Sequence, residues 1–304
     1  MTARELVVLG TASQVPTRTR NHNGYVLRWD DQTLLFDPGE GTQRQMTYTG
    51  VSASSLTRIC VTHAHGDHCL GLPGVLQRLS LDRSPRSVDL HYPASAQPHI
   101  DALRQASAYV DTAAVHNRPV QRAGVVAEAP TWTLATQPLA HRIDAVGYRL
   151  AERDTVRMLP ERLESYGVHG PDVGRLVREG ETTVDGRTVR LDQVSVPRHG
   201  QVFAFVMDTA WCEGAVELAR GADLLVVEST FLDCDRALAE DYGHLTARQA
   251  GRLAREAGAR RLVLTHFSQR YGEDVAVFAE EAATEFADVV AARDLDRVPV
   301  PARR

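Results

Sequence analysis

Between Val61 and Gly74 the chain reads VTHAHGDHCLGLPG, and the six positions from His63 to His68 hold three histidines and an aspartate. Imidazole nitrogens and carboxylate oxygens are ordinary ligands for zinc and related ions. Two histidines one residue apart, followed by Asp67 and His68, cannot all share one helix face, but a tight loop leaving a strand lets them converge on adjacent metal ions. The apolar run Ile59 to Val61 supplies the strand, and Gly66 supplies freedom to turn. Other residues of the same chemistry adjoin apolar runs: Asp208 closes FAFVMD, His266 follows RLVLT, and His141 in PLAHRIDAVGY precedes a strand-like segment. Strand ends are where an α/β scaffold presents a site. His63, His65, Asp67, His68, His141, Asp208 and His266 make seven ligands, enough for two metal ions, with the Asp208 carboxylate able to bridge. The richness in histidine and lack of a thiolate pair favour zinc over manganese or iron.

Such a constellation needs a scaffold. The 304 residues, 43% hydrophobic and 24% charged, have the balance of a globular chain with a large core. Short apolar runs predict strands over Glu5 to Leu9, Tyr25 to Arg28, Thr33 to Phe36, Arg58 to Thr62, Gln201 to Met207, Leu224 to Val227 and Arg261 to Thr265. Helices are expected over Pro73 to Leu79, Glu213 to Ala219, Thr246 to Ala257 and Asp274 to Phe286, with Thr246 as an N-cap. Alternating strands and helices predict a layered α/β domain over 1–304. The stretch from Glu152 to Val194 mixes Pro, Gly and charges and reads as an insertion projecting from the core. The tail from Val298 to Arg304, VPVPARR, reads as loose.

The formal net charge is -5, so any polyanion must be held by local patches. All 34 basic side chains of the Lys and Arg class are arginine. Cys60, Cys69, Cys212 and Cys234 form no CxxC pair and read as reduced structural thiols. No secretory signal pattern and no run of eighteen apolar residues is present, so the expectation is a cytoplasmic protein with no membrane contact.

THAHGDH resembles the THxHxDH signature of the metallo-β-lactamase superfamily. GTASQVPTRTRNHNGYVL, FDPGEGTQRQM, HRIDAVGYRL, ADLLVVESTF, YGHLTARQA and LTHFSQRYGED are similar, in order and spacing over nearly the full length, to the ribonuclease Z family of tRNA 3'-processing endonucleases. The resemblance implies an αββα sandwich with an inserted flexible arm and two Zn2+ per subunit. It assigns His63, His65 and His141 to one ion, Asp67, His68 and His266 to the other, and Asp208 to both. It further implies that Asp67 accepts a proton, that His244 is the general acid with Glu228 as its carboxylate partner, and that Arg270 contacts a phosphate. Leu245 and Ser229 depart from the residues usual in the family, without removing a proton-carrying group.

The same resemblance makes 152–194 the arm, or exosite, that grips precursor tRNA, with Gly170 and Pro171 at its tip and Arg162, Arg175 and Arg178 as its basic contacts. It implies hydrolysis of one phosphodiester 3' of the discriminator nucleotide, leaving a 3'-hydroxyl on the tRNA and a 5'-phosphate on the trailer, by a homodimer. Two other readings stand beside it: a small-molecule di-zinc hydrolase, such as a phosphodiesterase or arylsulfatase, and a catalytically dead RNA-binding scaffold.

Overall fold

The computed structural model describes residues 4–303. Two seven-stranded sheets face each other. The first runs Arg297–Pro299, Glu5–Gly10, Gly24–Trp29, Gln32–Phe36, Arg58–Cys60, Val88–Pro93 and Val115–Val120; the second runs Val289–Ala291, Leu262–Thr265, Leu224–Glu228, Val202–Val206, Ala145–Glu152, Trp132–Leu139 and Gly124–Ala129. The central strands are buried on both faces, which is why they read as continuous apolar runs rather than alternating ones.

Period-two geometry sends alternate residues to different layers. Leu6 and Val8 enter the core between the sheets, where Phe36 and Phe205 meet at 4.7 Å between ring centroids. Val7 and Leu9 face outward and pack with Leu72, Val75, Leu76 and Leu79 of the helix Leu72–Leu81. On the far side, Ala204, Val206, Leu225 and Val227 are covered by the helices Glu213–Ala219, Ala247–Ala257 and Ala276–Ala283. The result is the four-layer αββα sandwich. Thr246 caps Ala247–Ala257 by accepting a hydrogen bond from the Gln249 amide, and the Gln249 side chain returns the bond.

Three expectations shift. The strand from Arg58 ends at Cys60, because the Thr62 amide leaves the ladder to bond the Asp37 carboxylate at 2.7 Å. The last helix begins at Ala276, whose amide bonds the Asp274 carboxylate instead of continuing a helix through it. The tail is not loose over the residues described: Arg297–Pro299 pairs with Glu5–Val7, Val300 donates to the Arg4 carbonyl, and Arg303 pairs with Glu152. Prolines suit such an edge strand, where a missing N–H costs nothing.

The insertion forms a small module. Thr155–Met158 pairs with Ser195–Arg198, and between them lie Pro160–Ser165, Pro171–Glu179, Leu191–Val194 and the hairpin Glu181–Val184 with Arg187–Arg190. Val168, Leu176, Val189 and Val194 give it a core of its own. Its base lies just outside 152–194, since Glu152 is the last residue of a sandwich strand and Ser195–Arg198 closes the stem. Among the described residues no helix is long and apolar enough to cross a membrane.

Candidate metal centre and active site

The first sheet delivers a contiguous block. Val61 to His65 leave the strand Arg58–Cys60, and Gly66–Cys69 forms one helical turn carrying Asp67 and His68. That turn rests on the Pro38–Gly39 backbone, where a Cβ at Gly39 would sit 2.2 Å from the Asp67 carbonyl oxygen. Only glycine permits this approach. The second sheet delivers its groups singly: Asp208 after Val202–Val206, Glu228 at the end of Leu224–Glu228, His266 after Leu262–Thr265, and His141 in the turn between Trp132–Leu139 and Ala145–Glu152. Hydrogen bonds tie the sheets together at this end. Val146 N donates to Thr62 O at 3.0 Å, Tyr148 Oη to Val61 O at 2.8 Å, and Phe267 N to Thr11 O at 2.8 Å.

The seven side chains named from the sequence come together. His63, His65, His141 and Asp208 each bring one donor atom within 4.8 Å of the others, and Asp67, His68 and His266 do the same beside them. Asp208 spans both groups, with Oδ2 3.5 Å from His63 Nε2 and Oδ1 3.1 Å from His266 Nε2. Asp37, Asp208 and His266 all hold left-handed backbone (φ 43°, 41° and 63°), strain that a folded site retains when the surroundings dictate it.

A second set of groups aims the rings. His68 Nδ1 donates to Asp37 Oδ2 at 2.8 Å, and His141 Nδ1 to the Gly243 carbonyl at 3.0 Å. Thr62 gives its hydroxyl proton to Asp37, so its oxygen accepts from His63 Nδ1 at 3.0 Å. Thr230 gives its proton to Glu228 and accepts from His266 Nδ1 at 2.7 Å. In all four rings the Nε2 lone pair is thereby left facing the centre, the tautomer a metal requires. Asp208 Oδ1 is buried and accepts no hydrogen bond of its own. An orphaned carboxylate oxygen among lone pairs fits a cation.

The electrostatics point the same way. Burial pushes the pKa of His63, His65 and His141 down, so they stay neutral and ready to ligate. Burial opposes charge on His68 too, but Asp208, Asp67 and Asp37 outweigh it and raise its pKa, marking a spot that favours positive charge. His244 Nδ1 donates to Glu228 Oε1 at 2.9 Å; burial opposes its charge, yet Glu228 and then Asp208 raise its pKa to about 9. Among the described residues no hydrogen-bond partner engages its Nε2.

The centre floors a cleft of about 530 Å³ whose walls include His244, Phe231, Tyr242 and the exposed Arg270. The structure keeps the arm residues apart from it. Arg162 bonds the Gln193 carbonyl, Arg175 pairs with Asp172, Arg178 is exposed, and Gly170, with φ 52°, leads into Pro171–Glu179.

The family model for a beta-lactamase superfamily domain matches residues 32–267. A ribonuclease Z of Streptomyces avermitilis is 59% identical over 304 residues, all of both chains, and one of Chlamydia pneumoniae is 42% identical over 99% of this chain and 98% of its own. The chain belongs to the ribonuclease Z family. Human tRNase Z, short form, shares the fold with a TM-score of 0.71 and 24% identity over 98% of this chain and all of that one.

Membership in the ribonuclease Z family gives the arrangement its chemical context: a centre able to hold metal, beside a histidine that pairs with a buried glutamate on the cleft wall. Sequence reasoning had missed Asp37, Thr62, Thr230 and Gly243. Asp37 was findable, since it follows Thr33–Phe36 as Asp208 follows its own strand. The two threonines and the glycine carbonyl carry no such signal.

Proposed function

We propose that the chain is a zinc-dependent endoribonuclease that removes the 3' trailer from precursor tRNA, leaving a 3'-hydroxyl on the tRNA and a 5'-phosphate on the trailer. The observation that carries this is the converging cluster of five imidazoles and two carboxylates set beside the His244–Glu228 pair in one cleft. His63, His65 and His141 would hold one ion and Asp67, His68 and His266 the other, with Asp208 shared. Zinc bound there would lower the pKa of a water from about 15.7 to about 7 and offset charge on the phosphate.

The chain's own groups do the rest. Asp67, ionised and facing the centre, accepts the proton of the attacking water. The leaving 3'-oxygen needs a proton, and His244, kept charged by Glu228, donates it from Nε2. Arg270, on the cleft wall, holds a phosphate of the substrate. Arg162, Arg175 and Arg178 on the arm meet the tRNA backbone around the Gly170–Pro171 tip, as single phosphate contacts on a chain of net charge -5. The homodimer implied by the resemblance has apolar surface to use, since the exposed Leu81 and Val110 line one groove. The substrate implies a cytoplasmic place of work.

The test is cleavage of a precursor tRNA carrying a 3' trailer by zinc-loaded protein, with both new ends mapped. A single cut after the discriminator nucleotide, abolished by chelation and restored by zinc, is expected. Hydrolysis of bis(p-nitrophenyl) phosphate with no cut in the precursor would instead indicate a small-molecule phosphodiesterase.

A further inference from the structure

Three consecutive residues at the end of the helix Arg236–Tyr242 serve the site in different roles, with Tyr242 and His244 on the cleft wall. Gly243 gives its carbonyl to His141 Nδ1, and His244 pairs with Glu228. Gly243 adopts φ 73°, and the His244 amide bonds back to Ala239 O at 2.9 Å, which locks the turn. Tyr242, on the same turn, has no part in the metal or acid geometry. It is nonetheless 46% exposed on the cleft wall, where a ring with one apolar body and one polar tip can serve as a contact surface.

Its neighbours form a stack. The Phe231 ring lies near-parallel to it, 15° apart with centroids at 6.4 Å, and is itself buried. The Arg142 guanidinium sits 4.7 Å above the Tyr242 ring, anchored by a bond to the Asp241 carbonyl. Arg142 directly follows His141, and Phe231 lies 6.0 Å from the His244 ring. Flat aromatic and guanidinium surfaces are what unstacked bases bind in single-stranded nucleic acid.

We propose that the exposed Arg142 guanidinium, laid flat on the Tyr242 ring with Phe231 behind it, is the stacking platform for the base of the nucleotide immediately 5' of the scissile phosphate. The direction follows from the acid. His244 serves the oxygen that leaves, which is the 3'-oxygen of that nucleotide, so its base lies on the His244 side of the cleft. The trailer lies on the other. The platform needs no base-edge contact, so it accepts any base while rejecting a nucleotide that has none. This inference rests on the proposed substrate and on His244 as the acid.

The test uses full-length metal-free protein, so that binding is read without turnover, and two precursors differing only in whether the discriminator position carries a base. Tyr242→Ala is expected to weaken binding of the intact precursor roughly 5- to 150-fold, equivalent to about 1–3 kcal/mol of stacking. Against the abasic precursor it should match the wild type, and Tyr242→Phe should restore tight binding of the intact one. Equal losses on both precursors, or no loss on either, would overturn the proposal. Independently of any variant, 2-aminopurine at the discriminator position should be quenched on binding to wild-type protein, and unchanged fluorescence from a bound precursor would overturn it too. Wild-type protein that binds neither precursor would overturn this inference together with the substrate reading beneath it.

Discussion

The metal centre and the arm are built on opposite plans. At the centre the carboxylates are buried, and two of them hold the rings: Asp37 and Glu228, each wholly buried, fix one histidine directly and a second through a threonine. On the arm the arginines are exposed, and their partners are a backbone carbonyl and a helix-surface aspartate. Buried preorganised charge does chemistry because nothing must reorganise as the reaction proceeds. Exposed charge on a separate module instead gives grip that salt can screen. The two functions should therefore separate on mutation, and that is how the contrast can be broken.

The largest effect belongs to the shared carboxylate. Asp208→Ala should lower cleavage of both precursor tRNA and bis(p-nitrophenyl) phosphate, on the order of 10⁴-fold as for a carboxylate inside a catalytic unit. An equal KM for tRNA before and after would place the loss at the centre, and a loss confined to tRNA would undo the contrast.

Next comes His244. Removing a general acid costs about 10²- to 10⁴-fold in kcat. His244→Ala should show this on precursor tRNA with metal content intact, yet spare bis(p-nitrophenyl) phosphate, whose nitrophenolate leaves without a proton. Metal analysis and paired kinetics decide it. The pH dependence has a definite sign. Because the folded pKa is raised from 6.5 to about 9, the charged pair with Glu228 stabilises the metal-free fold fully below about pH 6.5 and fades as pH climbs through 9. Thermal melts of metal-free protein should lose that alkaline decline in His244→Ala.

Asp37→Ala should be milder. It removes the acceptor of His68 and the anchor of Thr62, and an outer partner of this kind is worth roughly 10- to 100-fold in metal affinity. Zinc titration of the variant measures it, and the tRNA KM should stay put once metal saturates.

The smallest change is on the arm. Arg175→Ala and Arg178→Ala should each leave kcat alone and reduce the slope of log Kd against log salt by about 1, if each meets one phosphate. Binding across a salt series reads this directly, and an unchanged slope would remove those side chains from the interface.

How much the sequence discloses follows the same contrast. His63 to His68 are legible because local spacing holds them, and the strand ends at Asp208 and His266 because apolar runs point to them. Asp37 sits as visibly, but its partner His68 lies thirty-one positions on, and only the parallel pairing of Gln32–Phe36 with Arg58–Cys60 brings them together. Thr62 and Thr230 matter through single hydroxyl protons, which no spacing reveals. The strand Trp132–Leu139 does alternate in burial, whereas Val115–Val120 and Gly124–Ala129 are exposed edges with weak apolar pattern. The arm's core is hidden for a related reason, since Val168, Leu176, Val189 and Val194 come from separate elements.

Anomalous scattering at the zinc edge from crystals of zinc-reconstituted protein tests the central claim most directly. The account predicts two peaks, one among His63, His65 and His141 and the other among Asp67, His68 and His266, with Asp208 touching both. A single peak, or zinc held anywhere that leaves Asp208 uncoordinated, would contradict it.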